Sequence, residues 1–598
     1  MMIRPPSKRR LAVLAAACLV SVAVPLTPAW AEKTKTKPAV TAQAMVPPEV
    51  TVEIPTITME GSNVDEDTLR AIFSGNIVDN AEALAGLTAD SIGIPAITIH
   101  ITSTVDGEQA EATATIIDLA LSEVSNGVAG AVTMAGVSLD AGDQGSGEFG
   151  ELSANSVNLA AMLSMYGLVP AADANGFATI YKDFRFAGGS FTSPEVTCDF
   201  GEMTAAEFKA RPLKTSLMEM MTLASALESQ GDKPSPELMG KIVHMYADIF
   251  SAFESSPVHY DGLSCDGTDD NDEPVQITIA SIDVDGMSPG TYPGVSVDGI
   301  DILAGEDGAV SLGNFTFKPM DISGPIATVQ AAPAELDEAW FAANARALIP
   351  AFAGFSFSDV AVDVPDPEAE AARIVASIAS FDLSLGNYRN GIPATVSTNA
   401  SHIMLDLPTD TNDEQLQMLL ALGVTSIDAG FTVDAGWDEA TNTIKVNDIS
   451  VTGADLATVK LAGTIANATE ALFSTDENAA MMAAMGVAIS NLKLDVTDMG
   501  LSDLVLSIAS QDQGSDAATL RTVYSGLAEG TIVSMLAGAA EAQKVGAAVS
   551  AFVSGKAKQL SIDLTAKQPP GLGMMDFMAA EEDPTVLIGK VNISATAK

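Results

Sequence analysis

The sequence predicts an α+β, β-dominated protein: antiparallel meander sheets, helix–glycine–strand units and one inserted helical hairpin. Three observations carry that expectation. Apolar and polar residues alternate through many short segments, as half-buried strands require. Asp-Gly or Asn-Gly pairs, which supply the positive φ values of type I′ turns, begin at Asp106, Asp261, Asp266, Asp285, Asp298 and Asp307 and at Asn126, Asn175 and Asn390. Helical periodicity is confined to a few blocks, so most successive strands lack the crossover helix that parallel pairing needs.

The chain has 598 residues, 47% of them apolar, with 29 Lys and Arg against 78 Asp and Glu. It is long enough for several cores and too apolar for disorder. The acidity argues against nucleic acid and anionic membrane surfaces, where neutralisation of phosphates by Lys and Arg supplies most of the affinity.

The first 31 residues read as a signal peptide. Lys8, Arg9 and Arg10 precede an apolar run from Leu11 to Leu26, and Ala29-Trp30-Ala31 offers cleavage after Ala31. Pro25 and Pro28 interrupt the run before the ~20 residues a membrane span requires. Cleavage removes four basic residues and no acid, leaving 25 basic against 78 acidic residues and a formal charge of −53. A Lys/Thr/Pro/Ala linker at 32–48 is expected to be disordered. No later stretch is apolar enough to span a membrane, so the expected location is the periplasm or the exterior, with no integral membrane segment after cleavage. Cys198 and Cys265 remain, an even count in an exported chain, and a disulfide is expected between them.

A first lobe is expected over 49–330 and a second over 331–598. Alternation marks strands at Val50–Ile54, Ile97–Ile101, Ile277–Val284, Val295–Val297, Ile444–Val446 and Leu492–Val496. Two amphipathic runs within 203–256, split by Gly231-Asp-Lys-Pro-Ser-Pro236, read as a helical hairpin inserted in the first lobe and bounded by the two cysteines. Further helices are expected near 65–73, 335–347, 413–422 and 477–485, with one long C-terminal helix over 517–552 followed by final strands. A recurring device, glycine after a helical run and then an apolar residue, falls at Gly86, Gly167, Gly354, Gly423 and Gly486. Glycine there closes a helix in the left-handed conformation.

Motifs with chemical meaning are sparse. Ser490 and Lys493 have S-x-x-K spacing, but a helix is expected to end before them, which puts Lys493 on the solvent face of a strand. Gly555-Lys556 resembles the end of a phosphate loop, with Ala557 in place of the required Ser or Thr. His100, His244, His259 and His402 are widely separated. No catalytic or cofactor-binding residue is identified, and no enzyme activity is expected. Asp266, Asp269, Asp270, Asp272 and Glu273 form the densest acidic run, either a solvated loop or a calcium site without EF-hand spacing. The clusters Met218/Met220/Met221 and Met574/Met575/Met578 either fill a core or line an adaptable apolar surface.

Ala210-Arg211-Pro212, the two cysteines, Trp340 with Arg346-Ala-Leu-Ile-Pro350, and Phe381-Asp-Leu-Ser-Leu385 with Tyr388 and Asn390-Gly-Ile-Pro393 together resemble a group of exported Gram-negative bacterial proteins of unassigned activity. The layout of helices and long meanders is similar to AsmA-like envelope proteins, and that resemblance implies a lipid-handling β-groove. The chain departs from those proteins in having no retained N-terminal anchor. The functional expectation is a non-enzymatic envelope protein that binds lipid or another apolar ligand along a sheet face. A structural or protein-binding role without a small ligand is the alternative, and a hydrolase built from dispersed carboxylates is third.

Overall fold

The computed structural model describes residues 49–105, 108–231, 233–269, 273–305, 308–366, 373–409, 414–536, 539–583 and 585–598. The expected leader, its cleavage point at Ala31 and the linker lie outside those residues. The chain is α+β and β-dominated, with every strand ladder antiparallel among the described residues. It divides into two compact units. One runs from residue 49 to Glu228 and adds Ala252–Met287; the other comprises Ser229–Ser251 and Ser288–Lys598.

In the first unit, the 17-residue strands Ala89–Val105 and Glu108–Val124 form a hairpin. The meander continues through 128–140, 146–158, 178–192, 196–210, 258–268 and 274–284, each segment pairing with the next. Four of the inner segments break at a glycine (Gly150, Gly188, Gly201 and Gly262), so one crease crosses the sheet. The reason is steric. A Cβ on Gly188 would lie 2.2 Å from the Phe200 carbonyl oxygen, and one on Gly262 1.9 Å from that of Ile279. The helices Glu66–Phe73 and Ala81–Ala85 close a core of Leu69, Ile72, Leu84, Ile92, Ile94, Ile97 and Leu121 on the first two strands. Asp65 caps the first helix by accepting from the Thr68 N–H.

The second unit is a longer meander. Val295–Ala304, Gly308–Phe317, Gly354–Pro365, Arg373–Gly386, Thr395–Asp406, Ser426–Asp438, Thr443–Gly453, Ala457–Ala466, Ala488–Asp498, Gln559–Ala566 and Val591–Ala597 pair in that order, eleven strands in one ladder. The helix Ala542–Val553 packs on the last two strands.

Several expectations change. The two helices of the insertion form as Leu217–Gln230 and Pro236–Ile249, but the second belongs to the second unit, where Val243, Ala247 and Phe250 pack with Ile322, Ile326, Val329 and Trp340. Its Gly240 is forced by close approach, because a Cβ would meet the Ala334 carbonyl oxygen at 1.9 Å. The division between units therefore falls at Met287/Ser288 rather than at residue 330. The long C-terminal helix is two, Ala517–Met535 and Ala542–Val553.

Asn126-Gly127 and Asn390-Gly391 make the expected hairpin turns with positive φ at both residues, whereas Gly267 and Gly299 lie inside strands. Of the five capping glycines, Gly167 and Gly423 are left-handed after a helix. Gly86 caps in another conformation, and Gly486 is the last residue of its helix. Gly354 opens a strand at φ 120°, where a Cβ would come 1.8 Å from the Leu383 carbonyl oxygen. Close strand approach, not helix closure, selects that glycine.

Candidate functional site

The register of the second meander sorts its side chains by face, because residues directly opposite in an antiparallel ladder project to the same side. One row reads Val297, Phe315, Phe357, Phe381, Ala400, Phe431, Val451, Val459, Val496, Leu560 and Ala597, apolar on every strand. The neighbouring row on the other face reads Ser296, Thr316, Ser356, Asp382, Asn399, Thr432, Ser450, Lys460, Asp495, Ser561 and Thr596, polar on every strand. The sheet is two-faced across its whole width.

Further apolar rows flank the first. Ile302, Val310, Val362, Ala376, Leu405 and Ile427 face one another across six strands, as do Ile300, Leu312, Val360, Ile378, Ile403 and Ala429. Between these two rows and the phenylalanine row, apolar positions step by three instead of two on five strands: Val297 to Ile300, Leu312 to Phe315, Phe357 to Val360, Ile378 to Phe381 and Ala400 to Ile403. The extra residue takes a left-handed backbone at Gly299, Asp359 and His402, with φ of 60°, 54° and 48°. On the next strand Ala429 and Phe431 alternate normally, and the register shift between Ala400 and Ile403 absorbs the difference. All the apolar rows therefore share one face. Stacked rings reinforce the middle row, Phe357 on Phe381 at 4.9 Å and Phe355 on Phe381 at 5.3 Å.

This face is unevenly covered. Leu560, near the end of the middle row, is buried beside the C-terminal helices, whereas Leu405, Ile427 and Val451 keep 44%, 41% and 61% of their surface exposed. Leu405 and Ile427 are direct partners on one ladder, so their exposed surface is contiguous.

Much of the polar face is paired, although Asp448 Oδ1 is buried without a hydrogen-bond partner among the described residues. Lys318 donates to Asp382 at 2.5 Å and to Ser384 at 2.6 Å, and Lys460 donates to Asp448 at 2.6 Å. Burial pushes the Asp382 carboxyl up, but Lys318 and Ser384 outweigh it and hold it below the ordinary value. A depression of about 300 Å³ is lined by Ser311, Asp363, Val375, Ser377, Met404 and Asp406, and Val362 and Ala376 of a flanking apolar row also border it.

The remaining sequence candidates do not converge. Ser490 sits at a bulge and donates to the Thr464 carbonyl oxygen at 3.1 Å, while Lys493 pairs with Asp495 at 2.9 Å on the exposed side of the strand. Gly555 follows the end of a helix with φ 73°, the reverse of a phosphate loop, which precedes one. Cys198 and Cys265 are opposite each other on adjacent strands and form a disulfide, S–S 2.13 Å. Of the calcium candidates, Asp266 accepts from Gln276 and Asp269 from the Glu273 N–H. Asp270 and Asp272 lie outside the described residues, and among the described residues no three His, Cys, Asp or Glu side chains form a metal-holding group.

The methionine clusters are mostly exposed, with Met220 alone half-buried. Met218 and Met221, and Met574, Met575 and Met578, are all more than half exposed. A third cluster, Met481, Met482 and Met485, escaped the sequence reading because only its helical register distinguishes it from Ala-rich surroundings.

Of the residues that carried the family resemblance, several tie strand ends together. Tyr388 Oη donates to the Phe352 carbonyl oxygen, Asn390 Nδ2 to that of Phe473 and Arg346 to that of Ser474. Their roles in this chain are architectural. A protein family described only as "uncharacterized protein" matches residues 450–598, the C-terminal part of the second unit. No curated protein matches the chain.

Proposed function

We propose that this chain is an exported, non-catalytic envelope protein that binds a long-chain apolar ligand, an acyl lipid, along the apolar face of its second unit. The observation that carries the reading is the apolar face of the second unit, where Val451 and Val459 of the eleven-strand row and Leu405 and Ile427 of the flanking row are exposed. Neighbouring strands lie about 4.8 Å apart, so the six strands from Gly354–Pro365 to Ala457–Ala466 offer roughly 24 Å of apolar track, comparable with an extended long acyl chain. Each methylene moved from water onto that track contributes up to about 0.8 kcal/mol. The leader at 1–31, the disulfide and the similarity in layout to AsmA-like envelope proteins support the envelope setting.

The test is to purify the mature protein from its native envelope without detergent and analyse an organic extract by mass spectrometry. The expected result is a stoichiometric lipid. A lipid-free protein that also fails to bind fatty acids and phospholipids sinks the proposal and moves the weight to protein partners. Leu405→Asp and Val451→Asp, both at exposed positions, are expected to weaken lipid binding at least about ten-fold while leaving stability within about 0.5 kcal/mol of the parent.

A further inference from the structure

We propose that the helices Glu477–Gly486 and Met574–Glu582 each carry a thioether site for a soft monovalent cation, Cu(I). Their methionines have the same spacing, i, i+1 and i+4: Met481, Met482 and Met485 on one, Met574, Met575 and Met578 on the other. Positions three and four apart on a helix are neighbours, so Met485 can meet both Met481 and Met482, and Met578 both Met574 and Met575. The two helices issue from one strand pairing, Ala488 with Gly573 and Ile489 with Leu572, so both triads belong to the same end of the sheet.

All six side chains are more than half exposed, with Met482 and Met575 at 70% and 75%. Six exposed thioethers on two short helices contribute little to packing, but they are soft, polarisable ligands on flexible stems. Thioether sulfur selects Cu(I) over hard cations. The rival soft ligands are absent from these helices: Cys198 and Cys265 are joined to each other, and none of the four histidines lies there. Neutral thioethers leave the bound ion its positive charge, which a chain of formal net charge −49 attracts.

Thioether ligation also sets the pH response. Cysteine, histidine and carboxylate ligands must lose a proton to bind metal, so their affinity falls in acid. A thioether has no such proton, and affinity stays level between about pH 5 and 8.

The experiment titrates the full mature protein anaerobically with Cu(I) against a chromophoric competitor. The parent is expected to bind two equivalents with the same affinity at pH 5 and 8. Met481→Leu/Met482→Leu/Met485→Leu and Met574→Leu/Met575→Leu/Met578→Leu are each expected to lose one equivalent, and the combined variant both. Leucine keeps the apolar surface and the helix propensity, so unchanged circular dichroism separates loss of ligand from loss of fold. Absence of Cu(I) binding by the parent, retention of both equivalents in the combined variant, or binding that disappears at pH 5 overturns the proposal. A combined variant that loses the metal yet still binds lipid separates this site from the sheet face.

Discussion

Asp498 keeps a buried charge because three donors converge on it. Ser502 and Gly500 offer backbone N–H groups at 3.1 and 3.3 Å, and Lys558 Nζ lies at 3.0 Å. Burial pushes the carboxyl up, and these donors together hold it below the ordinary aspartate value. The stabilisation is therefore present above the unfolded pKa, about 3.9, and is lost as pH falls through the lowered folded value. Asp498→Ala is expected to cost about 2 kcal/mol in urea unfolding, most of it from the orphaned helix N-terminus, since Lys558 is half-exposed and returns to water. Asp498→Asn is expected to recover part of that and to flatten the acid limb of the stability curve. His259 has the opposite sign. Asp283 at 2.7 Å and Asp261 at 3.1 Å raise its pKa, so its contribution is complete below the unfolded value near 6.5 and is lost as pH rises through the folded one. An NMR titration of the imidazole is expected to show the raised midpoint, returning toward 6.5 in Asp283→Asn.

At the scale of elements, the disulfide joins two adjacent strands on either side of the helical insertion, Val196–Phe200 and Leu263–Thr268. Replacing both cysteines by serine is expected to lower the stability of the first unit by up to about 4 kcal/mol, read by thermal unfolding. The second unit's transition should stay in place. Strands and turns were legible in the sequence where alternation held: Ile277–Val284, Ile444–Val446 and Leu492–Val496 all fall inside observed strands. Alternation fails as a guide where strands of the second unit carry an extra left-handed residue. Phe357 and Val360 share a face although their separation is odd, because Asp359 has a left-handed backbone that the one-dimensional pattern does not announce. The same blindness hid the apolar face, since which strand neighbours which is set by ladder register. Glycine was ambiguous for a related reason: Gly423 and Gly354 follow similar short apolar runs, yet one closes a helix and the other admits a neighbouring carbonyl.

For the whole molecule, the strongest sequence-based expectation is export, and the expected outcome is a mature chain beginning at Glu32, measured by intact mass on protein recovered from its own envelope. Acidity and scarcity of histidine bounded the candidate chemistry from the start, and the helical pattern gave no hint that the insertion would be shared between two units. The second meander also governs how the molecule can be built and dismantled. Among the described residues from Val295–Ala304 to Ala457–Ala466, each strand of the ladder pairs with the ladder strands that precede and follow it along the chain. A chain delivered from its N-terminal end can therefore add strands in the order in which they emerge, and no closure spans more than the segment between Phe317 and Gly354. Pulled from its C-terminus, such a ladder releases strands singly, giving a saw-tooth of small force steps in place of one large rupture.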